Sequence, residues 1–146
     1  MLKHIVIIFA SAIVLFGCSE KKLTEEMLLG QWNCQNTLMR QINPKVANEF
    51  HDLELRPDYH AEYIKNGDQV LLKLASTSEI IDFDAIEKNK DTWQSIGEME
   101  TNNKIKFVLI SNDELKQDIV FSIRDKTSKE IINLFNIEVI CKRITD

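Results

Sequence analysis

Two pairs of carboxylates in this sequence have a spacing that could support chemistry. Asp82 and Asp84 are separated by one residue, and so are Glu98 and Glu100. Alternate residues of a β-strand point to the same face, so each pair could hold a cation or divide the roles of general acid and base. A solvated strand face produces the same alternation and is the favoured interpretation. We therefore predict no catalytic residue at these positions.

Other routes to catalysis or metal binding have little support in the sequence. His51 and His60 flank a turn and could face each other across a hairpin, but two histidines without a third ligand make a poor metal site. The sequence has no Gly-x-Ser-x-Gly elbow, and its four glycines form no phosphate-binding loop. We therefore expect a protein that is not an enzyme and that holds neither a metal nor another cofactor.

The N-terminal segment, residues 1–17, has the pattern of a secretion signal. Lys3 precedes an apolar run over residues 5–16, which is shorter than the roughly twenty residues that a membrane-spanning helix needs. The tetrapeptide Leu15-Phe16-Gly17-Cys18 resembles the lipobox of bacterial lipoproteins. The resemblance implies that residues 1–17 are removed, that Cys18 is lipidated, and that residues 18–23 form a short tether.

The same resemblance implies a location in the cell envelope. Acyl chains on Cys18 would anchor the protein to a membrane, and Ser19 in place of Asp favours the outer membrane, facing the periplasm. Without Lys3 the chain keeps 17 basic against 23 acidic residues, a net charge of −6. This charge gives no electrostatic reason to bind nucleic acid or anionic headgroups. The alternative is a cleaved, soluble protein in which Cys18 is incidental.

Lipidation of Cys18 would leave two cysteines, Cys34 and Cys141. In the oxidising compartment that export implies, they can pair in one way, as a Cys34–Cys141 disulfide. The alternative is a pair of buried free thiols. If the two residues lie directly opposite on antiparallel strands, Trp32 must lie opposite Arg143 on the same face, where the guanidinium can stack on the indole.

The rest of the chain, residues 24–146, has the period-two alternation of β-strands. Thr24 can cap a short helical turn that ends before Gly30. Residues 78–86 and 128–135 fit either a strand or a short helix. Eight to ten short strands at this spacing predict one all-β domain, an antiparallel meander that forms a barrel or a sandwich. Turn signals separate the strands at Pro57-Asp58, Asn66-Gly67, Asn102-Asn103 and residues 111–113.

The tripeptide Gly30-Gln31-Trp32 resembles the Gly-x-Trp opening of lipocalin-like domains, in which a short helical turn leads into the first strand. Such domains often carry a basic residue on the last strand that packs over the tryptophan, and Arg143 has that place. The resemblance implies a closed, lipocalin-like barrel of about eight strands over residues 24–146, with Trp32 and Arg143 at its closure. Pairing of the first strand with the last would remove exposed sheet edges.

A barrel of this size either fills its interior with side chains or holds one small apolar ligand. The candidate cavity-lining residues are Tyr59, Tyr63, Trp93, Phe107 and Phe121, and core packing would also explain each of them. We therefore expect a non-enzymatic lipoprotein of the cell envelope that binds a small hydrophobic molecule. The alternative is a protein-interaction module of the periplasm, of the inhibitor or secretion-pilot type, whose acidic surface suits a basic partner. The sequence does not indicate the oligomeric state.

Overall fold

The computed structural model describes residues 23–83, 86 and 91–145. The predicted signal, Cys18, most of the tether and Asp84 therefore lie outside the described residues. The described chain begins with a short helix, α1 (Glu25–Leu28), and continues in nine strands. The strands are β1 (Gly30–Ile42), β2 (His51–Asp52), β3 (Tyr59–Asn66), β4 (Gln69–Lys73), β5 (Ser78–Ile81), β6 (Gln94–Ile96), β7 (Met99–Ser111), β8 (Glu114–Asp125) and β9 (Ile131–Arg143).

The predicted helical turn at the start of the domain is present as α1. The hydroxyl of Thr24 accepts a hydrogen bond from the backbone N–H of Met27 at 3.4 Å, which satisfies one of the free donors of the first turn. Leu28, at the end of the turn, is fully buried. The chain then enters β1 through Gly30, whose φ of +120° is a conformation that glycine adopts without the penalty of a Cβ.

The nine strands form one antiparallel sheet in the order β5-β4-β3-β1-β9-β8-β7-β6, and β2 pairs with β1. This order is that of a meander in which the first and last long strands, β1 and β9, have become neighbours. The sheet curls into a half-barrel. The all-β, antiparallel prediction is therefore confirmed, whereas the prediction of a closed barrel is wrong.

The open side of the half-barrel lies between β5 and β6. These strands have only four and three residues, and among the described residues they do not pair with each other. Pairing β1 with β9 removes one pair of sheet edges, but a sheet closes only when every strand has two neighbours. The first-to-last pairing that the sequence implied is therefore necessary for a barrel and does not complete one.

The pairing of β1 with β9 has the register that the cysteines implied. Cys34 lies opposite Cys141 and forms the disulfide, and Trp32 lies opposite Arg143. The register shifts between Asn36 and Leu38, where β1 carries a bulge. Such a bulge places an extra residue on one strand and changes which side chains face the interior.

One local prediction differs from the structure, and two segments that the sequence left open are decided by it. Asn102-Asn103 was expected to be a hairpin turn, but both residues lie inside β7. The hairpin between β6 and β7 forms instead around Gly97, whose φ of +60° provides the left-handed residue that a tight turn requires. The first ambiguous segment, residues 78–86, begins as the strand β5, whereas Phe83 and Ile86 beyond it are helical and the N–H of Ile86 donates to the carbonyl of Asp82 at 3.1 Å. The second ambiguous segment enters β9 at Ile131, because from there it pairs with β1 and β8.

The packed core lies at the end of the half-barrel that α1 covers. Trp32 and both cysteines are fully buried there, and the inward side chains of six strands converge on them. The buried members of this core are Leu28, Trp32, Cys34, Ala61, Tyr63, Val70, Ile81, Leu115, Val139 and Cys141.

Candidate ligand-binding cavity

The concave face of the half-barrel forms a cavity of about 460 Å³. Most of its wall is apolar and comes from β1, β3, β7, β8 and β9, with further residues from β4 and the segments around it. The apolar lining consists of Met39, Pro57, Ala61, Leu72, Leu74, Ile105, Ile119, Ile137 and Val139. The polar lining consists of Asn36, Arg56, Tyr59, Tyr63, Glu79, Asn103 and Gln117.

Tyr63 separates the packed core from the cavity. Its ring meets Phe107 edge-on, with 6.5 Å between ring centroids, although β3 and β7 are not neighbours in the sheet. Its hydroxyl accepts a hydrogen bond from Nε2 of Gln117 at 3.2 Å, and the same nitrogen lies 3.3 Å from Sγ of Cys141. The interior is therefore filled at the disulfide end and open beyond Tyr63.

The end of the sheet nearest α1 is covered by an arginine that binds the helix. The guanidinium of Arg143 lies 4.2 Å from the centroid of the Trp32 ring and donates to the carbonyls of Met27 at 2.7 Å and Leu29 at 2.6 Å. Nε1 of Trp32 donates to the carbonyl of Leu28 at 2.8 Å. These bonds satisfy carbonyls that a helix end leaves free. Trp32 and Arg143 thus cap one end of a half-barrel rather than closing a ring.

The bulge in β1 brings one polar and one apolar side chain to the same wall of the cavity. Asn36 and Met39 are three residues apart, and in a regular strand they would point to opposite faces. Because the register shifts between Asn36 and Leu38, both line the cavity. The residue in the bulge, Thr37, points the other way, and its hydroxyl donates to Oε1 of Glu138 at 2.8 Å.

The predicted cavity-lining aromatics have different positions. Tyr59 and Tyr63 line the cavity, and Phe107 packs against Tyr63. Phe121 lies opposite Phe135 on the adjacent strand, with 5.9 Å between ring centroids, and is not part of the cavity wall.

Trp93 lies on the opposite face of the sheet from the cavity. Its ring contacts the guanidinium of Arg124, with 3.7 Å from the centroid to Cζ. Arg124 is seven residues from Gln117 along β8, so their side chains point to opposite faces, and Gln117 faces the cavity. The expectation that Trp93 lines the interior therefore does not agree with its position. Aromatic side chains on either face of a sheet have the same sequence signature.

The two histidines that could have faced each other are far apart. His51 pairs with Gln41 and His60 pairs with Asn33, so eight residues of β1 separate them, about 26 Å. Both side chains are exposed. In the part of the chain that the structure describes, no group of three or more His, Cys, Asp or Glu residues could hold a metal ion.

The carboxylates of the second candidate pair have separate surroundings. Oε2 of Glu100 lies 2.7 Å from Nε of Arg124, and Nζ of Lys129 lies 2.9 Å from both carboxylate oxygens. Lys129 and Arg124 hold the pKa of the Glu100 carboxyl below its ordinary value. Glu98 is exposed in the turn before β7. Glu100 is therefore a structural ion-pair partner that remains ionised near neutral pH.

Two residues of the cavity wall, Asn36 and Gln117, were not predicted as site residues. Gln117 lies between Leu115 and Ile119 on the inward face of β8, and Asn36 continues the inward series that begins at Trp32. A polar residue at an inward position of a strand is the sequence signal that would have identified them, because buried polar side chains need a partner.

Within the described residues, no helix combines the length and hydropathy that crossing a bilayer requires. Comparisons of the chain with protein-family models, with curated proteins and with solved structures found no match.

Proposed function

We propose that this protein is a lipoprotein of the bacterial cell envelope that binds a small, largely apolar molecule in its cavity and does not catalyse a reaction. The cavity supports this proposal most directly. Its volume of about 460 Å³ lies within the range of about 300–1,000 Å³ typical of small-molecule sites. Nine of its sixteen lining residues are apolar, which suits a ligand with a hydrophobic body.

The binding proposal can be tested with the neutral, environment-sensitive dye N-phenyl-1-naphthylamine. We expect its fluorescence to rise on mixing with the protein and to saturate at one dye per chain. The double variant Ala61→Leu, Ile119→Phe adds bulk to the cavity wall and should weaken binding about tenfold. The matched control Ala75→Leu, Ile80→Phe makes the same changes at exposed positions and should bind as wild type does. Equal binding by both double variants would exclude the cavity as the site.

The anchoring proposal rests on the signal and on Leu15-Phe16-Gly17-Cys18. Mass spectrometry of protein purified from membranes tests it, because lipidation and cleavage replace the mass of residues 1–17 by that of acyl chains on Cys18. The variant Cys18→Ser should lose the acyl mass and leave the membrane fraction. Unmodified Cys18 in wild-type protein would contradict the proposal.

A second candidate function is the binding of another protein, and the open sheet edges favour it. Among the described strands, β5 and β6 each pair on one side only, and an unpaired edge can accept an added strand. Ile80 on β5 and Ile96 on β6 are both 59% exposed. Substituting both by lysine should abolish capture of an envelope protein without changing dye binding. If dye binding falls instead, these residues serve the cavity.

A further inference from the structure

Three of the seven polar side chains of the cavity are buried at its deep end. Asn36, Tyr63 and Gln117 all line the cavity, and their exposed fractions are 6%, 2% and 5%. They come from β1, β3 and β8, and the side chains of Gln117 and Tyr63 are hydrogen-bonded to each other. These three polar side chains are therefore a built feature of the interior and not an extension of the solvated surface.

The hydrogen bonds within this group leave specific donors and acceptors unused. Nε2 of Gln117 donates to Tyr63, but the Tyr63 hydroxyl donates to no side chain among the described residues. The Asn36 carboxamide, more than nine-tenths buried, also makes no side-chain hydrogen bond with the described residues, although it lines the cavity. Buried polar groups need partners, because leaving one unsatisfied is costly. A partner for Asn36 and Tyr63, either water or a bound ligand, has to come from within the cavity.

The charges around the cavity restrict what that partner can be. The charged residues in its wall, Arg56 and Glu79, are both exposed and opposite in sign. Burial raises the pKa of the Tyr63 phenol far above its ordinary value, so this hydroxyl remains a neutral donor. No described cation lines the deep end to balance a buried anion, and burying an unpaired charge is far more costly than burying a neutral polar group.

We infer that the ligand carries an uncharged hydrogen-bonding group, such as a hydroxyl or a carboxamide, which binds deep in the cavity against Asn36, Tyr63 and Gln117, while its apolar body lies along Ile105, Ile119 and Ile137. This inference rests on the proposed binding function. It assigns the deep polar groups the role of selecting neutral amphiphiles over ionised ones.

The test measures displacement of N-phenyl-1-naphthylamine by decan-1-ol and by decanoate at pH 8, where decanoate is ionised. Wild-type protein should bind decan-1-ol at least tenfold more tightly than decanoate. Asn36→Leu, which keeps the side-chain size, should weaken the binding of decan-1-ol about three- to tenfold and leave the affinity for the dye within about twofold of the wild-type value. The matched control Asn103→Leu removes an exposed amide from the same cavity and should leave decan-1-ol binding unchanged.

A second variant and a stability measurement keep the test decisive. Tyr63→Phe removes only the hydroxyl and should also weaken decan-1-ol selectively. Without ligand, Asn36→Leu should be about as stable as wild type, because the Asn36 amide lines the cavity and makes no side-chain hydrogen bond with the described residues that the substitution would remove. Equal displacement by decanoate and decan-1-ol, or no effect of Asn36→Leu and Tyr63→Phe on decan-1-ol, would overturn the inference while the binding proposal stands. Failure of wild-type protein to bind the dye or decan-1-ol would refute the binding proposal itself.

Discussion

Reduction of the Cys34–Cys141 disulfide should remove a large part of the stability of this domain. The bridge joins residues 107 positions apart, so it constrains most of the described chain in the unfolded state. In the chain-entropy model, closing a loop of this length stabilises the folded state by about 4.7 kcal/mol. Since the free energy of unfolding of small domains is about 5–15 kcal/mol, we expect the reduced protein to be only marginally stable at room temperature.

Equilibrium unfolding in urea, followed by circular dichroism, measures this effect. With a slope of about 1.5–2 kcal/mol per molar urea, the midpoint should fall by about 2–3 M when the protein is first reduced in denaturant and kept reduced. The slope should also rise, because the reduced unfolded chain exposes more surface. The double variant Cys34→Ala, Cys141→Ala is the control, and reductant should not change its midpoint.

One result would refute this reasoning. If the reduced and oxidised proteins unfold at midpoints within about 0.5 M urea of each other, the β1–β9 seam does not depend on the disulfide. The hydrogen bonds along that seam and the packing around Trp32 would then be sufficient to hold the two ends of the chain together.

Three further predictions concern the capped end of the sheet and one ion pair. Gly30→Ala should lower the free energy of unfolding in urea by about 2 kcal/mol, because Gly30 has φ +120° and a Cβ would lie 2.8 Å from Nη1 of Arg143. Gly67→Ala should lower it by less, because Gly67 has φ +61° and open space around it. Arg143→Lys should cost about 2–4 kcal/mol, because a lysine cannot make both carbonyl bonds and the stacking contact. In the folded state, hydrogen bonds from Lys129 and then Arg124 lower the pKa of Glu100 below its ordinary value of 4.5. The ionised carboxylate therefore stabilises the fold above pH 4.5, and this stabilisation is lost as the pH falls through the folded-state pKa. Glu100→Gln should therefore have a lower melting temperature than wild type at pH 7. Between pH 6 and pH 3, its melting temperature should fall by less than that of wild type.

Each of these predictions has an outcome that contradicts it. Equal losses for the two glycine variants would mean that contact with Arg143 adds nothing to backbone strain. Lys142→Ala, at the exposed neighbouring position, is the control for Arg143→Lys. If Arg143→Lys lowers the free energy of unfolding by no more than this control does, the guanidinium geometry is dispensable. Parallel pH curves for wild type and Glu100→Gln would mean that the ion pair does not contribute to the acid dependence.

The pairing of the two ends of the chain could be predicted from the sequence because it depends on few residues. Two cysteines with one possible pairing define a register, and the register places Trp32 opposite Arg143. Strands with strong alternation, such as β8, and turns with Asn66-Gly67 were also predictable from local signals.

The closure of the barrel and the position of the cavity could not be predicted, because both depend on the spatial relation of distant strands. Whether β5 meets β6 depends on the curl of the whole sheet, to which two strands of three and four residues contribute little local signal. The same limit applies to Trp93 and Asn36. The alternation of side chains between the two faces of a strand is visible in the sequence. Which of the two faces becomes concave, and where a bulge interrupts the alternation, is not visible there.

The cap formed by α1 and Arg143 has a consequence for orientation. Leu23 packs against the core at this filled end, whereas the charged rim of the cavity, Arg56 and Glu79, is exposed to solvent. If Cys18 carries lipid, the link to Leu23 reaches at most about 17 Å. The filled end would then rest near the bilayer, and the packed core around the disulfide would separate the cavity from the leaflet that holds the anchor.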